Sequence, residues 1–347
     1  MAVMADVLSV RERIDWLARL VPDPAGRLSE GSRRELAEGG AFAVEALRAL
    51  VEQGEAEDAA WSAARLYFYW LYSGQISQGR ELMALVLPLS EQASPSARAV
   101  VLEVAGTLAF EQGDEQAARS LFASSAELGK LVQDSATEAN ALGGLARCEL
   151  AAGNLDAARA AAAACDAIHL SRGDDEADRD FPLHILAYAD YIAGDDDAAR
   201  AGFHRTLELN RRCGRRPGEA RELTNLCSVE TRAGNLDLAD SLGREALDIS
   251  AEIDYSRLLP YCLINLGGVA AARGQYERAA LLLGAGDGLL TADGAQLNPG
   301  TASEYRRHRA AVAAALGEEG FARHYEEGLK LTAAEAVEVG RQAPGLH

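Results

Sequence analysis

Residues 97–132 read ARAVVLEVAGTLAFEQGDEQAARSLFASSAELGKLV. Two helix-forming stretches flank the pair Gly113-Asp114, a glycine suited to end one helix and an acid suited to cap the next. Five positions after Gly113 stands Ala118, which is small enough for two helices to cross closely, and fifteen positions after it stands Leu128. The stretch therefore predicts two helices joined by a short turn.

The same pattern recurs along most of the chain. Six marker glycines are spaced by 39, 40, 41, 40 and 40 residues: Gly74, Gly113, Gly153, Gly194, Gly234 and Gly274. The residue five positions after each is Gly or Ala, and the residue fifteen positions after each is Leu or Ile. A fixed period of this size is typical of stacked helical repeats, so the sequence predicts an all-α solenoid of about six helix pairs.

The less regular ends are expected to cap the stack. We expect N-terminal capping helices in residues 1–59, repeats in residues 60–290, and three C-terminal capping helices in residues 291–347, all in one continuous domain. Within the first region, residues 29–40 and 41–54 are predicted as two separate helices. Asn154 and Asn235 directly follow marker glycines, and each is expected to cap the helix after it.

Composition excludes several classes of function. The net charge is −19, with 53 acidic against 34 basic residues, so neither nucleic acid nor an anionic membrane surface is an expected partner. The five cysteines show no CxxC pair, which fits a reducing, cytoplasmic location and no metal site. We find no signal peptide, no membrane span, and no motif for a cofactor or for a familiar hydrolase.

The repeats resemble the tetratricopeptide repeat in Leu266-Gly267, the turn glycine and the alanine that follows it. Three stretches are similar to the C-terminal sensor region of large actinobacterial LuxR-type ATP-binding regulators: residues 65–89, RLYFYWLYSGQISQGRELMALVLPL; residues 279–290, AALLLGAGDGLL; and residues 316–340, LGEEGFARHYEEGLKLTAAEAVEVG. The resemblance spans roughly residues 41–342 and implies a right-handed superhelix that binds an inducer or a partner. Because the chain has no GxxxxGK[ST], it is expected to be a free-standing sensor-like solenoid.

In superhelices of this type, the first helix of each pair lines a concave groove. Positions about 13, 10, 6, 3 and 2 residues before each marker glycine should then face it. These positions combine aromatic rings with a few polar groups, as small-molecule and peptide pockets do. The candidate ligand-binding residues are Trp61, Phe68, Tyr72, Glu103, Thr107, Phe110, Asn140, Arg147, Phe181, Tyr188, Tyr191, Arg221, Thr224 and Tyr261. The alternative is that many of the aromatic side chains fill space between repeats.

Acidic residues stand four positions before three marker glycines, where the family usually has alanine: Glu149, Asp190 and Glu230. Equivalent positions in adjacent repeats should lie about 10 Å apart, and a buried carboxylate must be paired, hydrated or functional. One interpretation is a salt-bridge ladder, with Arg147, Arg221, Arg232 and His184 as candidate partners. The other is cation binding or acid–base catalysis, with Asp190, Glu149, Glu230 and His184 as candidate catalytic residues.

Three functions stay open at this point. The first is a protein that holds a small molecule or a peptide in its groove, in a regulatory, scaffold or sequestering role. The second is a cofactor-independent enzyme that uses the groove carboxylates for cyclisation, isomerisation or hydrolysis, with a biosynthetic pathway as one setting. The third is an adaptor between proteins, with an open groove and no closed pocket.

Overall fold

The computed structural model describes residues 8–24, 28–292, 297 and 299–342. Over these residues it contains α-helices, short 3-10 turns and connecting loops, and no β-strand. The chain divides into two compact units, unit 1 (Met1–Gly173) and unit 2 (Asp174–His347). The helices of unit 1 are α1 Val10–Leu20, α2 Glu30–Gln53, α3 Ala56–Tyr72, α4 Ile76–Leu89, α5 Pro95–Glu111, α6 Glu115–Leu131, α7 Ser135–Ala151 and α8 Leu155–Arg172. Those of unit 2 are α9 Asp180–Ala193, α10 Asp196–Arg212, α11 Arg216–Ala233, α12 Leu236–Glu252, α13 Leu259–Ala272, α14 Tyr276–Ala292, α15 Pro299–Leu329 and α16 Ala333–Arg341.

The predicted all-α repeat is confirmed, and each marker glycine lies between the two helices of a pair, from α3/α4 to α13/α14. All six have a left-handed backbone with φ between 70° and 84°. A side chain would strain this conformation, which explains why glycine ends the first helix of every pair.

The small residue five positions later is also explained by the structure. The alanines at this position are fully buried where the two helices of a pair cross: Ala118, Ala158, Ala199, Ala239 and Ala279. In the first pair the position is Gly79, where an added Cβ would lie only 2.8 Å from the ring of Trp70. A larger side chain there would force the paired helices apart.

One N-terminal expectation is wrong. Residues 29–54 do not form two helices, because α2 runs unbroken from Glu30 to Gln53. The pair Gly39-Gly40 permits close packing inside this helix and does not interrupt it. A Cβ on Gly40 would lie 2.1 Å from the ring of Tyr69 on α3, and one on Gly39 would lie 2.9 Å from Trp16 on α1.

The C-terminal region forms three helical segments, as the sequence predicts. α15 is interrupted at Gly317, whose φ of 71° and ψ of 166° are not helical. After this break, residues 318–329 pack against α14 so closely that a Cβ on Gly328 would lie 2.1 Å from the carbonyl oxygen of Leu281. Before it, residues 300–316 contact α9 and α13. We call residues 300–316 the docked segment.

Candidate functional site

Two of the three acids that stand four positions before marker glycines, Glu149 and Glu230, form ion pairs between consecutive helix pairs. Arg119 Nε lies 3.0 Å from Glu149 Oε1, and Arg200 Nε lies 2.5 Å from Glu230 Oε1. Each arginine stands six residues after a marker glycine, and each glutamate stands four residues before the next one. The carboxylates of Glu149 and Glu230 thus pair with arginines on second helices, and not with the partners expected from the sequence.

The turn asparagines bind the same carboxylates. Asn154 donates to Glu149 at 2.7 Å and Asn235 donates to Glu230 at 2.6 Å. The expectation that they cap the following helices is wrong, because their side chains are turned towards the ionised acceptor and make no cap bond. Burial would raise the pKa of Glu230, yet the hydrogen bonds from Asn235 and Arg200 hold it below its ordinary value. Glu230 is therefore an ionised structural partner at neutral pH.

The first helices of unit 1 bring four of the candidate ligand-binding residues together. The guanidinium carbon of Arg147 on α7 lies 3.9 Å from the ring centroid of Phe110 on α5, within cation–π range. Arg147 also pairs with Glu111 at 3.3 Å, while its Nε has no hydrogen-bond partner. Thr107 contacts the carboxyl of Glu103 at 3.3 Å. Burial raises the pKa of Glu103 to about 7, although Thr107 and Arg147 act to lower it.

We call Glu103, Thr107, Phe110, Asn140 and Arg147 the unit-1 face. All but Thr107 are partly exposed. The face combines one aromatic ring, one cation, a hydroxyl, an amide, and a carboxyl group that can change its charge near neutral pH. Such groups can hydrogen-bond and stack against a ligand that lies along the helices.

The other unit 1 candidates are less available. Trp61 is half-buried and donates its indole N–H to Glu57 at 2.8 Å. Phe68 belongs to the hydrophobic core. The side chain of Tyr72 lies outside the described residues.

In unit 2, His184 and Arg221 belong to a network of charges below the surface. Arg221 donates to the buried Asp180 at 2.8 Å and to the buried Glu222 at 2.8 Å. His184 Nδ1 lies 3.0 Å from Glu222 Oε1. Burial acts to raise the pKa of Glu222, but His184 and Arg221 hold it below its ordinary value. The guanidinium of Arg221 on α11 is thus matched by the carboxylates of Asp180 on α9 and Glu222 on α11.

Tyr188 and Tyr191 are covered by the docked segment. They are 6% and 4% exposed, and their rings pack around Phe203 of α10. Glu304 of the docked segment forms a hydrogen bond with Tyr191 and lies 3.7 Å from Arg232 Nε. The guanidinium of Arg232 is stacked 3.9 Å from the Tyr191 ring centroid. On this side of unit 2, the chain itself occupies the surface on which the sequence predicts a ligand.

The other unit 2 candidates differ in burial. Thr224 is buried and bonds the backbone oxygen of Ala220. Phe181, Asp190 and Tyr261 are half-buried. Of these, Tyr261 lies near Tyr188 and acts to raise the pKa of its hydroxyl.

Sequence reasoning missed several residues that organise these faces: Glu111, Asp180, Glu222, Arg232 as the partner of Glu304, and Glu304 itself. Arg221 and Glu222 are adjacent in the sequence, so an ion pair between them could have been predicted. Glu304 lies beyond the repeats, where no periodic signal indicates its neighbours.

Two small cavities lie near these elements. A cavity of about 10 Å³ lies beside the docked segment, and one of about 100 Å³ lies between α4, α5 and α6. No group of three or more His, Cys, Asp or Glu side chains in the described ranges could hold a metal ion. Within the same ranges, every helix is too short or too polar to cross a membrane.

These features define a helical repeat protein of the tetratricopeptide type, and comparison with solved structures agrees. A Rap protein complexed with Competence and Sporulation Factor is similar over 94% of this chain and 99% of its own, with 15% identity and a TM-score of 0.60. A signal transduction ATPase with numerous domains and a tetratricopeptide repeat sensor, from Pyrococcus horikoshii, is similar over 88% of this chain and 47% of its own, with 13% identity and a TM-score of 0.57. This chain thus spans about half the length of that ATPase. No protein-family model and no curated protein matches the chain.

Proposed function

We propose that this chain is a regulatory binding protein that holds a peptide segment of a partner along the unit-1 face. The observation that carries the proposal lies in unit 2. There, the first helices of the repeats already hold a helical segment, residues 300–316, through tyrosines, an arginine and a glutamate. The unit-1 face offers a similar set of groups at the equivalent helices.

The chemistry of the unit-1 face favours a peptide over a small molecule. Pockets for small molecules usually enclose about 300–1,000 Å³, well above the volumes of about 10 Å³ and about 100 Å³ of the two cavities described above. A peptide needs no enclosed pocket, because it can lie along a surface with backbone groups bonded to side chains such as Asn140. The partly exposed guanidinium of Arg147 can donate to an acceptor on such a ligand.

The similar structures support this proposal as precedents for the fold. One is a Rap protein complexed with a factor, and another carries a tetratricopeptide repeat sensor. The similarity to LuxR-type regulators of actinobacteria and a cytoplasmic location are part of the same proposal. The five free cysteines are consistent with a reducing compartment.

The proposal does not include acid–base catalysis by Glu149 or Glu230. Glu149 and Glu230 each carry an arginine and an asparagine partner, and the lowered pKa of Glu230 does not suit a general acid. Ion pairing between repeats explains these two residues without a reaction.

A selection from a random peptide library tests the proposal. Peptides selected on the whole chain should lose about tenfold or more in affinity for Phe110→Ala and Arg147→Ala, because stacking and charged hydrogen bonds are each removed. The matched control is Leu131→Ala, an exposed leucine on α6 of the same unit, which should leave affinity unchanged. Melting temperatures of all three variants are measured in parallel. Selected peptides that bind all variants equally, or a selection without enrichment, would contradict the proposal.

A further inference from the structure

We propose that the docked segment is a detachable occupant of unit 2, which leaves and returns while the remaining helices of the unit stay folded. In the docked position, Gly300 lies beside the hydroxyl of Tyr188, Glu304 contacts both Tyr191 and Arg232, and His308 packs on Gly268 of α13. The inference is independent of the unit-1 face.

The contacts that hold the segment to α9 and α11 are polar. Among residues 300–316, only Tyr305 and Val312 are buried. Tyr305 bonds to the hydroxyl of Tyr325 at 2.8 Å, so this anchor joins the two halves of α15 and does not fix the segment to α9. Polar contacts contribute little net stability because water replaces them on release, so the free energy of opening comes mainly from exposing Tyr188, Tyr191 and Val312.

The chain has a natural boundary between the detachable part and the fixed part. Gly317 breaks the helix with a left-handed φ of 71°, which lets the two halves of α15 move independently. The second half is held by backbone-to-backbone approach to α14, where a Cβ on Gly284 would lie 2.2 Å from the carbonyl oxygen of Tyr325. Local opening should therefore stop at Gly317.

Release of the segment would uncover a surface that can bind. Tyr188 and Tyr191 would become exposed next to Arg232, whose Nε has no hydrogen bond in the docked state. The small cavity of about 10 Å³ at this interface is lined by Ser228, Asn265 and Glu304, among others, so the fit between segment and face is already incomplete. Burial lowers the pKa of His308 to about 4, so the imidazole is docked in its neutral form at pH 7.

Thiol labelling of the folded chain tests the proposal. Ser228 lies under the docked segment with 9% exposure, and Ser250 lies in the core of α12 with none. Both serines are replaced singly by the near-isosteric cysteine, Ser228→Cys and Ser250→Cys, and labelling is followed by mass spectrometry. If opening is local, the thiol at 228 should react at least about 100-fold faster than that at 250, which needs wider unfolding.

A second substitution tests whether the opening is that of the segment. Glu304→Ala removes the charged contact with Tyr191 and Arg232 and should accelerate labelling at position 228 by about tenfold, with no change at position 250. Hydrogen exchange of the unsubstituted chain provides a check that needs no variant. Amides of residues 300–316 should exchange at least about 100-fold faster than those of residues 318–329.

Equal labelling at the two positions would overturn the proposal. Fast labelling at position 228 that Glu304→Ala does not accelerate would also overturn the proposal. It would mean that the thiol is accessible while the segment stays docked. Equal exchange of the two halves of α15 would also overturn it. None of these outcomes depends on peptide binding at the unit-1 face.

Discussion

Removing Arg200, the cation of the ion pair with Glu230, should lower the free energy of unfolding by a large and pH-dependent amount. Glu230 is 2% exposed and accepts hydrogen bonds from Arg200 and Asn235. Arg200→Met keeps the aliphatic stem but leaves a buried carboxylate with one neutral donor. Breaking a buried pair in this way costs about 3–5 kcal/mol. We expect about 3 kcal/mol, since the Arg200 side chain is 27% exposed and Asn235 remains.

A second ion pair at the equivalent repeat positions provides a control. Arg119 pairs with Glu149 as Arg200 does with Glu230, but the Arg119 side chain is 38% exposed. Solvent screening should limit the cost of Arg119→Met to about 1 kcal/mol or less. Native-state hydrogen exchange in increasing urea, read on α11 for one variant and α7 for the other, measures each free energy within its own unit.

The pH dependence has a definite sign. The lowered pKa of Glu230 means that the folded chain binds this proton less readily than the unfolded chain. The stabilisation by the pair is therefore complete above the unfolded pKa of about 4.3 and is lost as the pH falls through the lower folded value. The loss of unfolding free energy caused by Arg200→Met should become smaller between pH 7 and about 4, because the unpaired carboxylate of Glu230 takes up a proton. A cost equal to that of Arg119→Met, or one independent of pH, would refute the reasoning.

Two further expectations concern unit 1. Gly144→Ala should destabilise the chain by about 1–3 kcal/mol in urea denaturation, because the new Cβ would lie 2.4 Å from the ring of Phe122; Gly31→Ala, whose Cβ would meet only Ser29 at 3.8 Å, should not. Glu103→Gln should gain stability over the unsubstituted chain as pH rises from about 4.5 to about 7, and no further gain should follow above that. The sign follows from the raised pKa of Glu103, since the folded chain binds more protons than the unfolded chain in this range. A difference that does not vary with pH in the same urea titrations would exclude a raised pKa.

The repeat itself was predictable because its rules are local. A left-handed turn needs glycine, and a close helix crossing needs a small residue such as Ala118, so both recur at every period. The ion pairs obey an equally strict register, yet Arg200 and Glu230 are 30 residues apart and belong to different helix pairs. A sequence pattern within one repeat does not link these two residues. The expectation that arginines nearer in the sequence are the partners of the glutamates is therefore wrong.

The docked segment could not have been predicted in the same way. Residues 300–316 follow no repeat, and their many charged side chains resemble those of an ordinary exposed helix. Contacts in the structure, such as those of Glu304 with Tyr191 and Arg232, show which surface the segment covers. The same contacts explain why Tyr188 and Tyr191, predicted at a groove, are buried in the structure.

Because the docked segment is covalently joined to unit 2, it has an entropic advantage over any separate helix that competes for the same surface. A short covalent connection holds such a segment at an effective concentration in the millimolar range. A free peptide with the sequence of residues 300–316 would therefore need about millimolar concentrations to displace its tethered copy. A physiological competitor at micromolar levels must bind the same surface about a thousandfold more tightly than the segment does, which corresponds to about 4 kcal/mol. Helices in the cell whose binding free energy is less favourable than this threshold do not displace the docked segment.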